Sequence, residues 1–480
     1  MPEPSVSDKS AEKVELKAVE KFLSTWITTQ RWYAGKGRAP RWQRLGGFAF
    51  PDPAGEAMIR VEFLLDTASN PVLYQVPLTE RAVPRNTDGD GLIGTINTDD
   101  GVKYLYDGPR DPAGAAAILR LMLDERAVLP TDDSPGFAAR GHSAPTTPSL
   151  TVVSSRVLSG EQSNTSIIYE MRNAEGNPAA PIICKVFRSL HHGENPDVVL
   201  LGALAAAGST VVPTPIGHII GTWRDSGEPS GFAHGHLAFA QEFLPGVEDA
   251  WRVAVRAAEK GLDFAGQARS LGAATADVHR TLASALPTHP ATARDIAAVM
   301  ASMRARFEQA ALEVPSIARH RRAIAEVHAR AEVGAWPPMQ RVHGDYHLGQ
   351  VLSVPERGWV ILDFEGEPLR PMIERTGEDS PLRDVAGMLR SLDYVAGSVA
   401  RAVHPDAGSA ISLGDWVSSA RAALLEGYRT NASYPLEDFW PLLTAFELDK
   451  AVYEAIYESR NRPDWLEIPV AAIDRLVAGP

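Results

Sequence analysis

Residues 341–352 read Arg-Val-His-Gly-Asp-Tyr-His-Leu-Gly-Gln-Val-Leu, and residues 359–368 read Trp-Val-Ile-Leu-Asp-Phe-Glu-Gly-Glu-Pro. The second polar cluster follows four apolar residues of the kind that make a short buried strand, so Asp363 emerges at a strand end rather than on a solvated face. A carboxylate at Asp345, an amide oxygen five residues later at Gln350 and a second carboxylate at Asp363 match the needs of phosphoryl transfer. One group orients an acceptor hydroxyl and takes its proton, while two oxygen donors hold Mg²⁺ against the phosphates. His343 and His347 have the i, i+4 spacing of a zinc pair, but on this loop structural hydrogen bonds are expected instead.

The rest of the chain is large enough to support such a site. Its 480 residues are 44% hydrophobic and 22% charged, an ordinary globular composition that excludes wholesale disorder and a small disulfide scaffold. The formal charge of −13, without a Lys/Arg cluster, argues against nucleic acid as the main partner. The apolar stretch Leu200 to Ile220 is broken by Gly208, Pro213, Pro215 and Gly217, so no membrane span is expected. Cys184, the lone cysteine, sits in an apolar run and reads as a buried reduced thiol, which fits a cytoplasmic location. The polar N-terminus lacks the pattern of a secretory signal.

Four units are expected along the chain. Residues 1–128 form a cap domain: a helix from Glu15 to Thr28, the compact segment Gln30 to Arg38, four short strands between Arg44 and Tyr106, and a helix capped by Asp111 with Pro112 in its first turn. Residues 129–149 carry four prolines and read as a linker. Residues 150–244 are strand-rich, and 245–480 are mainly helical, with Ala-rich helical patterns at 250–285, 291–332, 415–429 and 438–459.

The clusters at 341–352 and 359–368 resemble the kinase catalytic loop and its metal-binding Asp-Phe-Gly, with His-Gly-Asp in place of His-Arg-Asp and Gln350 in place of Asn. These departures point to the aminoglycoside-phosphotransferase-like small-molecule kinases, and His-Gly-Asp-x-His-x-Gly-Gln with Asp-Phe-Glu-Gly-Glu-Pro looks like the actinobacterial maltokinases. Further matching blocks are Arg31 to Gly35, Glu161 to Ser166, Lys185 to Arg188, Asp379 to Gly387 and Glu447 to Glu454. The resemblance implies an α+β architecture: a bilobal protein-kinase-like fold with a β-rich N-lobe, a mainly helical C-lobe and an N-terminal α+β cap. It implies ATP-dependent phosphorylation of maltose at the anomeric hydroxyl, giving maltose 1-phosphate for α-glucan (glycogen) synthesis. A related glucosamine, amino-sugar or aminoglycoside kinase and a non-catalytic pseudokinase are the alternatives.

Carried over residue by residue, Asp345 would be the base, Gln350 and Asp363 would bind Mg²⁺, and Lys185 would reach the phosphates of ATP. The turn around Ser163, Asn164 and Thr165 occupies the place of the phosphate-covering loop, and a hinge is expected near Gln241 to Leu244, including Glu242. Maltokinases carry an acidic residue shortly after Asn-Pro-Asp, but here Asn195-Pro196-Asp197 is followed by Val198 and Val199. Asp197 or Glu194 could then serve as the lysine's partner, or the hinge could hold most of the nucleotide. Glu365 and Glu367 could approach the metal or the sugar. On the last long helix, Glu447, Lys450 and Glu454 recur at helical spacing and, with Tyr453, Tyr457, Glu458 and Trp465, would form a sugar wall. His347, Arg383, Arg460 and Asn461 are further candidates. The chain is expected to be a monomer or homodimer acting on a small-molecule sugar, with its cap stiffening the nucleotide lobe or meeting a partner enzyme such as a trehalose synthase. The Arg31-Trp32-Tyr33 segment reads as packing rather than chemistry.

Overall fold

The spacing of Val19, Phe22, Leu23 and Trp26 produces helix α1 over residues 19–29, and the turn after it lays Trp32 and Tyr33 into the same core. The computed structural model describes residues 19–52, 54–68, 70–85, 90–98, 101–130, 134–145, 147–159, 163–367, 370–402 and 412–478. Strands β1 (Trp42–Pro51), β2 (Met58–Asp66), β3 (Val72–Arg81), β4 (Leu92–Thr98) and β5 (Gly101–Asp107) make an antiparallel sheet in the order β1-β2-β3-β5-β4. Strand β4, not expected from the sequence, is short and is defined by its pairing with β5. Asp111 accepts the Ala113 N–H at 2.9 Å and so starts helix α2 (Pro112–Leu123) at the expected place.

A second antiparallel sheet runs in the order β6-β7-β12-β13-β10-β9-β8. Its strands are β6 (Ala127–Val128), β7 (Ala138–Ser143), β8 (Leu150–Val157), β9 (Asn164–Asn173), β10 (Pro178–Phe187), β12 (Pro215–Arg224) and β13 (Phe232–Glu242), while β11 (Ser189–Leu190) leaves this sheet to pair with β3. The stretch 129–149, expected to be a linker, therefore contains a strand. Its proline content conceals β7, which pairs with β12 from Ala138 to Ser143 and is anchored by Phe137, packed 5.3 Å from Phe63.

These elements form one compact unit, residues 1–195 with 214–245, and its two sheets are tied by a charged residue rather than by apolar side chains alone. Arg188 is fully buried, donates from Nη2 to Asp107 Oδ1 at 2.8 Å and from Nε to Thr165 Oγ1 at 2.8 Å, and lies over the Trp32 ring. Gln75, also buried, donates its amide to the carbonyls of Phe187 and Leu237. The Arg31-Trp32-Tyr33 segment thus packs against the guanidinium that joins the cap sheet to the second sheet.

The second unit comprises residues 196–213 and 246–480. Helix α3 (Pro196–Ala206) groups with it rather than with the strand-rich segment where 150–244 places it. A small antiparallel sheet, β14 (Glu248–Asp249), β15 (Val351–Val354) and β16 (Gly358–Ile361), lies among helices α4 (Ala250–Glu259), α5 (Ala265–Ala285), α6 (Ala293–Glu313), α7 (Pro315–Ala318), α8 (Arg321–Val333), α9 (Met372–Arg375), α10 (Leu382–Ala402), α11 (Leu413–Asn431), α12 (Trp440–Asn461) and α13 (Glu467–Ala478). Helices α5 and α11 approach unusually closely. A Cβ on Gly272 would stand 2.0 Å from the Leu424 carbonyl oxygen and one on Gly427 would stand 1.9 Å from that of Arg269, so only glycine fits at either crossing point.

Two predictions follow from the first unit. Arg188→Met leaves the buried Asp107 carboxylate only its longer, 3.7 Å contact with the half-exposed Arg110 and is expected to lower stability by about 3–5 kcal/mol, measured by denaturant unfolding. On the second sheet His142, His218 and His236 lie ring to ring, with centroids 5.0 and 5.1 Å apart. Burial, with the neighbouring rings, pushes His218 and His236 down from 6.5 to about 4. Between these values the unfolded chain binds protons that the folded chain does not, so stability should fall as pH is lowered through this window. His218→Gln should flatten that dependence in thermal unfolding scans from pH 7 to about pH 4.5.

Candidate active site

The loop after the buried Gln340, which bridges to Asp379, is shaped by a carboxylate from the next long helix. Asp384, 1% exposed on α10, accepts the His343 N–H on Oδ2 at 2.8 Å and the Gly344 N–H on Oδ1 at 2.9 Å. It also lies 2.9 Å from His279 Nε2 on α5, while His279 Nδ1 meets Tyr428 on α11 and Tyr428 meets Tyr434. Burial would raise the Asp384 carboxyl, but the hydrogen bond and charge of His279, aided by His343 and the Gly344 N–H, hold it below the usual carboxylate range. His343 reaches the Leu362 carbonyl through Nε2 at 2.8 Å, and its ring packs on Phe364, so one histidine joins the two motif loops. His347 Nδ1 accepts the Gly349 N–H at 3.0 Å, and burial, with the nearby cations, depresses its pKa despite Asp345. Both histidines make hydrogen bonds of the structural kind.

Asp345 follows this clamp and faces a narrow pocket that Tyr346, Glu367, Arg383, Lys450 and Tyr453 also line. Lys450 Nζ lies 3.8 Å from Asp345 Oδ1, 3.7 Å from Glu367 Oε1 and over the Tyr453 ring. Burial and a hydrogen bond to Glu367 raise the Tyr453 hydroxyl. Arg383 pairs with Asp379 at 2.6 Å and lies over the Phe446 ring. A carboxylate set in such a pocket can accept the proton of a bound hydroxyl.

Other members of the expected sugar wall lie elsewhere. Glu447 pairs with Arg421 and Arg475. Glu454 is buried against Arg390, with bonds of 2.8 and 2.7 Å, and burial holds its carboxyl above the usual range despite that arginine. Glu458 binds Arg462 and Tyr394, Arg460 pairs with Glu313, Asn461 bonds the Tyr457 carbonyl, and Trp465 stacks on Tyr394. Tyr457 is largely exposed beside Arg462. The reason is helical phase. Positions 446, 449, 450 and 453 of α12 share the pocket face, whereas 447, 454 and 458 are rotated away from it, Glu454 towards Arg390 of α10, Glu447 towards Arg421 of α11 and Arg475 of α13, and Glu458 towards Tyr394 and Arg462. Sequence reasoning missed Arg306 and Asp449, which line the pocket as an ion pair. Asp449 stands one residue before Lys450, and a stricter count of the helix face would have found it.

Beside the loop, Gln350 Nε2 donates to Asp363 Oδ2 at 3.1 Å. Asp363 has a φ of +65°, a strained conformation for a residue with a side chain, and it is held there by neighbours on both sides. Leu362 N–H bonds the Gln350 carbonyl at 2.8 Å, and Phe364 N–H bonds Asp197 Oδ1 at 2.9 Å. Asp197, considered above as a partner for Lys185, is thereby also bonded to the Asp-Phe-Glu turn. Asp197, Asp363 and Glu365 each present an oxygen, all within 4.8 Å of one another, a hard all-oxygen set that suits Mg²⁺.

In the first unit Lys185 projects from β10, in register with Ser166 of β9 and Phe239 of β13. Ser163 and Asn164 lead into β9, and Thr165 is engaged by Arg188, whereas residues 160–162 of the expected phosphate turn lie outside the described residues. Glu242 Oε2 accepts the Thr214 N–H at 3.2 Å, and Leu244 lies just past the end of β13. Glu194 is exposed.

Residues 26–111 match the maltokinase N-terminal cap domain, and residues 182–420 match the phosphotransferase enzyme family. The chain belongs to this phosphotransferase family. A glucosamine kinase of Streptacidiphilus jiangxiensis is 32% identical over 319 residues, covering 63% of this chain and 67% of that protein. One from Mycolicibacterium smegmatis (strain ATCC 700084 / mc(2)155) is 28% identical over 417 residues, 83% of this chain and 93% of that protein. A solved glucosamine kinase in complex with glucosamine, ADP and inorganic phosphate has the same fold, with a TM-score of 0.64 at 22% identity over 95% of this chain and 99% of that one. As a member of the phosphotransferase family the protein is a kinase acting on a hydroxyl, and its α+β architecture with an N-terminal cap is the expected one.

Because Asp384 sets the backbone that carries Asp345, Asp384→Ala should lower kcat by about 100-fold or more, as a displacement of roughly 1 Å can do. Steady-state ADP release measures this, with circular dichroism to check that the fold is retained.

Proposed function

We propose that this kinase phosphorylates a hydroxyl of glucosamine, with ATP as donor and Mg²⁺ as its metal. The sugar and amino-sugar kinase class is supported by the family and by the relatives named glucosamine kinase. The observation that carries the finer choice is the charge of the pocket: Asp345, Glu367, Asp384 and Asp449 line it against Arg306, Arg383 and Lys450, and Arg383 is turned towards Asp379. Such a lining favours a cationic acceptor over a neutral one. Maltose, the acceptor that the sequence resemblance implies, is the second reading, and the maltokinase-type cap favours it.

In this reading Asp345 orients the acceptor hydroxyl and takes its proton as the O–P bond forms. Lys450, close to both Asp345 and Glu367, bridges the two carboxylates and offsets their mutual repulsion. Gln350, Asp363, Glu365 and Asp197 are the residues that would hold Mg²⁺, which when bound neutralises charge on the transferring phosphates. Lys185 binds the phosphates of ATP, Ser163, Asn164 and Thr165 support the covering turn, and the strand end at Glu242 and Leu244 receives the base. No helix among the described residues is long and apolar enough to cross a membrane.

An ADP-release assay with MgATP and a panel of glucosamine, glucose, maltose and kanamycin tests the proposal. Glucosamine should give the highest kcat/KM, and Asp345→Asn should reduce its turnover by at least about 100-fold. Preferential turnover of maltose would return the assignment to the maltokinase reading.

A further inference from the structure

Among the described residues, the pocket contains one buried oxygen that is left without a donor. Asp449 is 5% exposed, its Oδ2 is paired with Arg306 from α6, and its Oδ1 is buried with no hydrogen-bond partner. Buried carboxylate oxygens are normally satisfied, because desolvating an acceptor without replacing its bonds to water is costly. Here the orphan oxygen belongs to a residue that lines the same pocket as Asp345. The other cations of the pocket are engaged: Arg383 bonds Asp379, and Lys450 lies beside Asp345 and Glu367. Arg383 and the buried His328 stand near enough to feel the charge of Asp449, but neither donates to Oδ1, which leaves that oxygen available to a donor entering the pocket.

We propose that Asp449 is the specificity-determining residue of the acceptor pocket, its Oδ1 receiving an N–H of the substrate's ammonium group. This rests on the amino-sugar reading above. Arg306 fixes the carboxylate through Oδ2 and so directs Oδ1. A carboxylate oxygen bonds an ammonium more strongly than a neutral hydroxyl, so the residue contributes more to glucosamine than to its hydroxyl counterpart glucose. Sequence position supports the assignment, since Asp449 shares one face of α12 with Phe446, Lys450 and Tyr453, which all line the pocket.

The test compares kcat/KM for glucosamine and for glucose in the wild type, Asp449→Asn and Arg306→Gln. Asp449→Asn keeps the shape and an acceptor oxygen but removes the charge, and its ratio of glucosamine to glucose efficiency should fall roughly 10- to 100-fold, mostly through KM. Arg306→Gln, which touches only Oδ2, should change the ratio less. Isothermal titration with glucosamine in the absence of nucleotide should show the same loss of affinity in Asp449→Asn, and thermal unfolding checks that both variants fold. An unchanged ratio in a folded Asp449→Asn protein, or an equal loss for both sugars, overturns the proposal. Wild-type enzyme that ignores glucosamine would instead refute the amino-sugar reading on which it rests. Should Asp449→Asn fail to fold, Asp449→Glu, which retains charge but displaces the oxygen, takes its place: glucosamine efficiency should fall more than that for glucose, and an unchanged ratio overturns the proposal.

Discussion

One buried carboxylate organises the helical unit. Asp384 accepts two consecutive backbone N–H groups of the loop that carries Asp345 and a side-chain contact from His279, so three chain segments converge on two oxygens. An anion in a fully buried position persists only when such bonds replace its hydration. The consequence is a loop whose backbone is fixed from beneath, leaving the Asp345 side chain facing the pocket. His343 extends the same network to Leu362, so the turn bearing Asp363 is placed by the element that places Asp345. Asp345, the proposed base, and Asp363, a proposed metal ligand, are thus positioned by one continuous set of hydrogen bonds.

The first unit uses a related device with the opposite sign. Arg188 is a fully buried cation that meets Asp107 of the cap sheet, Thr165 of the second sheet and the ring of Trp32. Apolar packing alone would let the two sheets slide, since dispersion contacts have little directionality. A guanidinium with fixed donor directions sets their register. Its place three residues after Lys185 means that the strand carrying the proposed phosphate-binding lysine is the one so anchored.

The proximity of the candidate residues was legible because phosphoryl transfer would constrain residue type and spacing tightly: Asp345, Gln350 and Asp363 lie within a short segment whose geometry is local, and Gln350 does bond Asp363. What the sequence concealed is mostly tertiary. Glu447 and Glu454 have the right chemistry for a sugar wall, but the arginines that neutralise them lie on α10, α11 and α13, and no local pattern shows that pairing. Asp449 and Arg306 are 143 residues apart, and each reads alone as an ordinary helix charge. Asp197 sits in an apolar helix start, and only the fold brings it to Phe364. Strand β7 was hidden by the prolines around it, because its stability comes from β12 and from Phe137 rather than from its own propensity.

The glycine pair where α5 and α11 cross gives the protein an indirect vulnerability. Gly272 lies three residues before Thr275, which bonds Tyr346, and seven before His279, which bonds Asp384; Gly427 immediately precedes Tyr428. The spacing of these two backbones is therefore transmitted, through hydroxyls and an imidazole, to the loop that bears Asp345. A single methyl group added at either crossing would pry apart the support of that loop without touching the pocket. Among natural variants of this chain, the inactivating ones should accordingly include silent-looking changes in a helix pair that meets no ligand, and a map of tolerated substitutions would outline the scaffold as sharply as the site.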